Sequence, residues 1–296
     1  MTVHEPLAVP PRDLAILLLV AAFDTLTRSQ ITAELFPNDD DGRITRKRLK
    51  ILLGRGLLNQ TSMQVVNPAV NGGVTAPVYY PSAKGLDFLR QERDDEAFRL
   101  VNATTPNWTT LYHSVAVAQT RLLLTRAAAL RPDVKLVEHV GERAFRDHTA
   151  TEPHARYRLF TLVTQEPLLV CKPDAGWLFE KDGVRKVFYL EQDRDSTKSA
   201  ERVAAQKCGG YAGLLKHQLH MRHFPTATDE TFRVLMIAPT PARRDALRRA
   251  VARKPEGNRW RFACLADLTT ESFLTAPVWY RAEGDQPEPM VPGGPA

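Results

Sequence analysis

Apolar residues along this chain switch between a helical and a strand period, and the switches mark out its elements. Leu14, Leu17, Leu18 and Ala21 recur at helical spacing and predict a helix over 12–23. Thr27, Arg28, Ser29 and Gln30 supply a cap for a second helix over 30–36. A third, over 43–53, buries Leu49, Leu52 and Leu53 and turns Arg43, Arg46, Lys47 and Lys50 to the opposite side, with Arg48 partly toward the core. Gly54 and Gly56 stop it. Strand-like runs at 57–66 and 77–81 flank a loop holding Asn71, Gly72 and Gly73, which predicts a β-ribbon. A fourth helix over 82–93 follows, then a polar stretch broken by Pro106 that reads as a linker.

Helix, helix, basic helix, ribbon, helix is the order of a winged helix-turn-helix module over 12–95. Such a module lays its third helix in the DNA major groove. The expected contacts are Arg43, Thr45, Arg46, Lys47 and Lys50. An ordinary solvated helix surface is the competing reading of the same charges.

Beyond residue 108 the periods alternate. A long helix runs to 130 with His113 near its start, then a strand over 134–140 carries Glu138. A charged loop or helix over 141–157 holds His148 and His154, whose spacing is not that of metal ligands. Two β-rich runs, 168–179 and 184–190, are joined through Asp182 and Gly183, a hairpin signal because glycine accepts the positive φ of a tight turn. A helix over 196–222 sets Lys207 and Tyr211 on one side. A strand over 232–238, a basic helix over 241–254 and a strand over 259–265 complete the pattern. The Pro-rich segment 1–11 and the Pro/Gly-rich segment 286–296 are expected to be disordered tails.

The hairpin carries the candidate chemistry. The first run contains Pro173-Asp174, and the second ends in Glu191, Gln192 and Asp193. Residues two apart on a strand point to one face. Three carboxylates gathered at a strand end are costly unless a cation neutralises them, and a hard ion such as Mg²⁺ suits the oxygens. The alternative is a solvated acidic end screened by Lys172, Lys181 and Arg194.

Composition narrows the class. A chain of 296 residues favours two domains, and 43% apolar residues suffice for packed cores. The net charge of +6 favours a polyanionic partner. Three scattered cysteines fit a reducing cytoplasm and support neither a zinc module nor a disulfide framework. The apolar run at 14–23 is too short for a membrane span. No Gly-rich phosphate loop is present.

The order α, β, β-hairpin, α, β after residue 108, with Pro173-Asp174 and Glu191-x-Asp193, resembles the PD-(D/E)xK nuclease-like core, an αβββαβ fold over 108–270. The expected class is thus α/β, or α+β over the whole chain. Resemblance to that core implies that Asp174, Glu191 and Asp193 hold Mg²⁺, with Mn²⁺ able to substitute. Where the pattern has its lysine this chain has Asp193; Lys207 on the next helix is the substitute, with Lys198 second. The ribbon module, His113 with the four residues after it, Pro173-Asp174-Ala175, Leu190-Glu191-Gln192-Asp193 and Lys207-x-x-x-Tyr211 together resemble the replication-relaxation family across about 12–265. That resemblance implies a protein of plasmid or mobile-element DNA processing, while the cysteine usage and the short apolar run lead to the expectation of a cytoplasmic one.

Three readings follow. The first is a DNA-binding accessory of replication, relaxation or transfer, whose nuclease-like domain need not cut. The second is a metal-dependent endonuclease in which Asp174, Glu191, Asp193 and Lys207 are catalytic. The third is a winged-helix transcription regulator. Expected partners are double-stranded DNA and replication or conjugation proteins, with a homodimer as a further option.

Overall fold

A computed structural model describes residues 9–67, 72–107, 109–194 and 199–291 of the chain. The chain divides into two compact units, Met1–Ala118 and Gln119–Ala296. Of the expected features, Lys198, Asn71, Trp108 and the outer parts of both tails lie outside the described residues.

The first unit opens with α1 (Pro11–Phe23), a short strand β1 (Leu26–Thr27) and α2 (Arg28–Leu35). Proline is tolerated at the start of α1 because the first helical N–H groups have no intrahelical partner. Thr27 and Gln30 form a reciprocal capping box at α2, the hydroxyl of Thr27 accepting from Gln30 N and Gln30 Oε1 accepting from Thr27 N. There follow α3 (Arg43–Gly54), β2 (Leu58–Asn67), β3 (Gly72–Pro81) and α4 (Ala83–Arg93). Strands β2 and β3 form an antiparallel ribbon, and β1 joins its other edge in the order β1-β3-β2. This is the element order that the apolar pattern predicts, with β1 the addition. The stretch expected as a linker holds a 3-10 turn, Glu96–Leu100, and a buried Asn102 whose Oδ1 accepts from the amide and hydroxyl of Thr104. The division between units falls inside α5 (Leu111–Ala129).

In the second unit the helix leads into β4 (Lys135–Gly141), a one-turn α6 (Pro153–Arg156), and the small pair β5 (Thr161–Thr164) and β6 (Leu169–Cys171). The expected hairpin is β7 (Ala175–Lys181) and β8 (Val184–Gln192). Asp182 and Gly183 both have positive φ, the backbone of a two-residue turn that suits strand twist. After α7 (Ala200–Lys216) and α8 (His220–His223) come β9 (Phe232–Ala238), α9 (Pro241–Ala252), β10 (Trp260–Cys264), α10 (Ser272–Thr275) and β11 (Tyr280–Arg281). One six-stranded sheet has the order β11-β10-β9-β8-β7-β4. Strands β4, β7 and β8 form an antiparallel meander, whereas β8, β9 and β10 run parallel. The run α5-β4-β7-β8-α7-β9 is the αβββαβ order expected for the nuclease-like core.

The core lies between this sheet and α7 with α9. It is built on Tyr189, Tyr211, Phe232, Trp260 and Phe262, all fully or nearly fully buried. Helix α7 approaches the β5-β6 pair closely along its glycines. A Cβ on Gly210 would stand 2.4 Å from Val170 O, and one on Gly213 would stand 2.4 Å from Val163 Cγ1.

The segment 286–291 is ordered, against the expectation of a disordered tail. Glu288 pairs with Trp279 through the backbone and with Arg261 and Arg281 through its carboxylate, while Met290 and Val291 are buried. Arg261 is 4% exposed and needs that carboxylate, which holds the segment down.

Candidate functional site

Two sets of residues carry chemistry, one in each unit. In the first, α3 exposes Arg43, Arg46, Lys47 and Lys50 while Leu49 and Leu52 are buried beneath. Asp39, itself buried, caps the helix from outside. Its Oδ1 accepts from Ile44 N, and its Oδ2 accepts from Thr45 N at 2.8 Å and Thr45 Oγ1 at 2.7 Å. Burial raises the Asp39 carboxyl, but these hydrogen bonds outweigh it and leave the group below its ordinary value. Thr45 is 0% exposed, which removes it from the expected surface contacts: its hydroxyl serves the cap. On the inner side, Arg48 makes two 2.6 Å hydrogen bonds to a fully buried Asp13 of α1. The inward turn of Arg48 thus fixes α3 against α1 and directs its neighbours outward.

In the second unit, the hairpin and α7 bring Asp174, Glu191, Lys207 and Tyr211 together. Asp174 N donates to Leu190 O, and its Oδ2 accepts from Gln192 N at 2.8 Å, so it clasps the end of the neighbouring strand. Glu191, 3% exposed, accepts from Tyr211 Oη at 2.7 Å on one oxygen and lies 2.6 Å from Lys207 Nζ on the other. Lys207 and Tyr211 are one helical turn apart, which is why both reach the same carboxylate. Burial pushes Glu191 up to about 7; Lys207 pulls it down and Asp174 adds to the rise. Burial alone would lower the Lys207 ammonium, but Glu191 and Asp174 outweigh it and raise it. The Tyr211 hydroxyl is driven well up by burial and by Glu191, so it stays a donor. Cys171 beside them is raised well above its ordinary value by burial and is an unreactive thiol.

Asp193 does not join this group. It takes a bidentate pair from Arg243 at the start of α9, at 2.8 and 3.1 Å, with both side chains largely buried. Residues two apart on a strand share a face but lie about 7 Å apart, far enough for α7 to neutralise Glu191 and α9 to neutralise Asp193. The expected three-carboxylate Mg²⁺ site is therefore not assembled: Asp193 is drawn to Arg243, and both Glu191 oxygens face donors. Glu138 pairs with Arg158 and is directed elsewhere. His113 sits half-buried on α5 in the first unit.

The sequence pattern missed Arg243 and Gln192, and it turned Arg48 partly toward the core without naming its partner. Gln192 is buried, and its Oε1 accepts from Thr120 Oγ1 of α5 at 2.8 Å. Only Arg48 left a signal, as a cation within an otherwise apolar helix side.

The fold and these two sites define a two-unit chain: a small helical unit with a strand ribbon and a cationic helix, and a mixed α/β unit of nuclease-like order with a neutralised carboxylate pair. The Replication-relaxation family model matches residues 17–229, more than half of the chain, and the chain belongs to that family. No curated protein matches it. A solved structure of restriction endonuclease FokI aligns with 88% of this chain and 68% of its own, at 10% identity and a TM-score of 0.24. That score is too low to bear on fold or activity. Among the described residues, no helix is long and apolar enough to cross a membrane.

Proposed function

We infer that this protein is a DNA-binding accessory of plasmid or mobile-element replication, relaxation or transfer, acting through a winged-helix first unit. The observation that carries this reading is the cationic side of α3, where Arg43, Arg46, Lys47 and Lys50 are exposed together above a buried apolar stripe. In a winged helix the third helix enters the major groove and the ribbon reaches the backbone. Exposed cations that neutralise phosphates release counterions, so binding must weaken as salt rises. Neutralising Arg46, Lys47 and Lys50 together should lower duplex affinity and flatten the log K against log salt plot by roughly 0.9 per lost phosphate contact. An unchanged affinity and slope would remove α3 from the interface.

A second reading, an endonuclease with a displaced lysine, has one observation in its favour. Lys207 on α7 stands 2.6 Å from Glu191 in a site that also holds Asp174. Calorimetry with Mn²⁺ on the wild type and Asp174→Ala, beside nicking of supercoiled plasmid, tests it. Heat lost in the variant together with nicking supports an endonuclease; no heat and no nicking rules it out.

A further inference from the structure

The loop between β4 and β5 carries a second concentration of positive charge that the reading above does not use. Its two arms lie side by side, Arg146 N donating to Arg156 O and Arg158 N to Ala144 O. The arms bring Arg146 and Arg158 near Arg222 of α8, around a fully buried His223. His223 is itself fixed on both ring nitrogens, at 2.7 Å from Thr161 Oγ1 and 2.7 Å from Tyr189 Oη. Burial first, then the nearby guanidinium groups, press its imidazole down to about 3, so it stays neutral and contributes no charge.

Three guanidinium groups therefore share one neighbourhood, and their partners are unequal. Arg158 is fully engaged: Glu138 lies 2.6 Å from Nη1, and Nε and Nη2 both donate to His223 O. Arg146 and Arg222 are exposed, and neither has a carboxylate within ion-pair distance among the described residues. The hydrogen bonds of Arg146 go to backbone carbonyls, at 3.4 Å to His154 and 3.2 Å to Arg158, at or beyond the long end of the normal range. Beside them Arg156 packs over the stacked rings of Phe145 and Tyr157, and its buried Nε has no partner among the described residues.

Glu138 offsets only Arg158, so Arg146 and Arg222 repel each other with no carboxylate at ion-pair distance among the described residues, which opposes folding. A solvated surface of unrelated arginines would spread them or pair them with carboxylates. Guanidinium forks match phosphate oxygens two at a time, and an exposed set suits a polymer running over the surface. The cluster also shares a strand side with the carboxylate site: Tyr189, which anchors His223, is two residues before Glu191 on β8.

We propose that Arg146 and Arg222, set beside Arg158, form a phosphate-binding surface on the second unit that takes the backbone of DNA, independently of α3. Full-length protein is titrated with a duplex of about 25 base pairs and with one of its single strands, across salt. Four forms are compared: wild type, Arg146→Gln/Arg222→Gln, the α3 triple variant, and Arg146→Lys/Arg222→Lys. The Gln pair should lower affinity and reduce the salt slope by roughly 0.9 per contact on duplex or 0.7 on single strand. For two duplex contacts, the change in affinity between about 50 and 200 mM salt shrinks about tenfold. Its melting temperature should stay level or rise, since both side chains are exposed and mutually repulsive. The Lys pair should keep the slope. Loss on either nucleic acid supports the surface and identifies the form it takes. An unchanged affinity and slope on both overturns it, whatever the α3 variant does. Loss in the Gln pair with none in the α3 variant would leave this surface standing and sink the α3 reading.

Discussion

Replacing Glu191 by Gln should change how the stability of the second unit depends on pH, and the size of the change can be worked from the site. Glutamine keeps an acceptor for the Tyr211 hydroxyl but cannot ionise. In the wild type, burial holds Glu191 at about 7 against an ordinary value of 4.5. The folded state therefore binds a proton more tightly than the unfolded state does. The stability this contributes is fully present below about 4.5 and is lost as pH rises through about 7. At 1.36 kcal/mol per pKa unit, the loss amounts to about 3 kcal/mol. Lys207, with its value raised, changes stability only at alkaline pH, outside this window. Removing the carboxylate also strands the ammonium of Lys207, but that side chain is one-third exposed and can be hydrated, so its cost is an offset and not a slope. Urea unfolding at half-unit steps from pH 4 to pH 8 is the assay. Trp177, Trp260 and Trp279 are buried in the second unit and report its transition by fluorescence. The difference between variant and wild type should grow in the variant's favour by about 3 kcal/mol over the range. Parallel curves would show that Glu191 is already ionised at pH 5, and the account of its burial would fall.

Two further substitutions test the frame around the sites. Arg48→Ala leaves Asp13 buried and unpaired and should cost on the order of 3 kcal/mol, read as a lower urea midpoint for the first unit; a loss below about 1 kcal/mol would mean that water replaces the pair. Gly85→Ala places a Cβ 2.1 Å from Leu57 O, and since the obstacle is backbone, about 1–3 kcal/mol should be lost. An unchanged midpoint would show that α4 can shift freely.

Regular elements were readable because each had a strong period and a strong stop. The hairpin is the clearest instance: an apolar run on each arm and Asp182-Gly183 between them predict a tight turn, and Lys181 pairs with Val184 across it. Lys207 and Tyr211 were also readable as a pair, since helical spacing alone puts them on one side. What failed was partner choice. Asp193 follows the end of β8 directly, and its carboxylate is taken by Arg243, fifty residues on. Nothing local marks that arginine out from its neighbours on a basic helix. Thr45 failed for a similar reason: its place among cations suggested a surface residue, while Asp39, six residues earlier, holds it inside. The small β5-β6 pair escaped notice because strands of four and three residues carry too few positions to show a period.

The glycines of α7 bear on the site without touching it. Gly210 and Gly213 let the helix rest almost directly on the β5-β6 strands, with no room there for a methyl group. Lys207 lies one turn before Gly210, so the depth at which the helix is seated sets how far its ammonium reaches. Were ordinary side chains to line that contact, the helix would ride higher, and Lys207 would meet water before it met Glu191. The alignment of the charged group is thus governed by missing atoms on the far side of a turn.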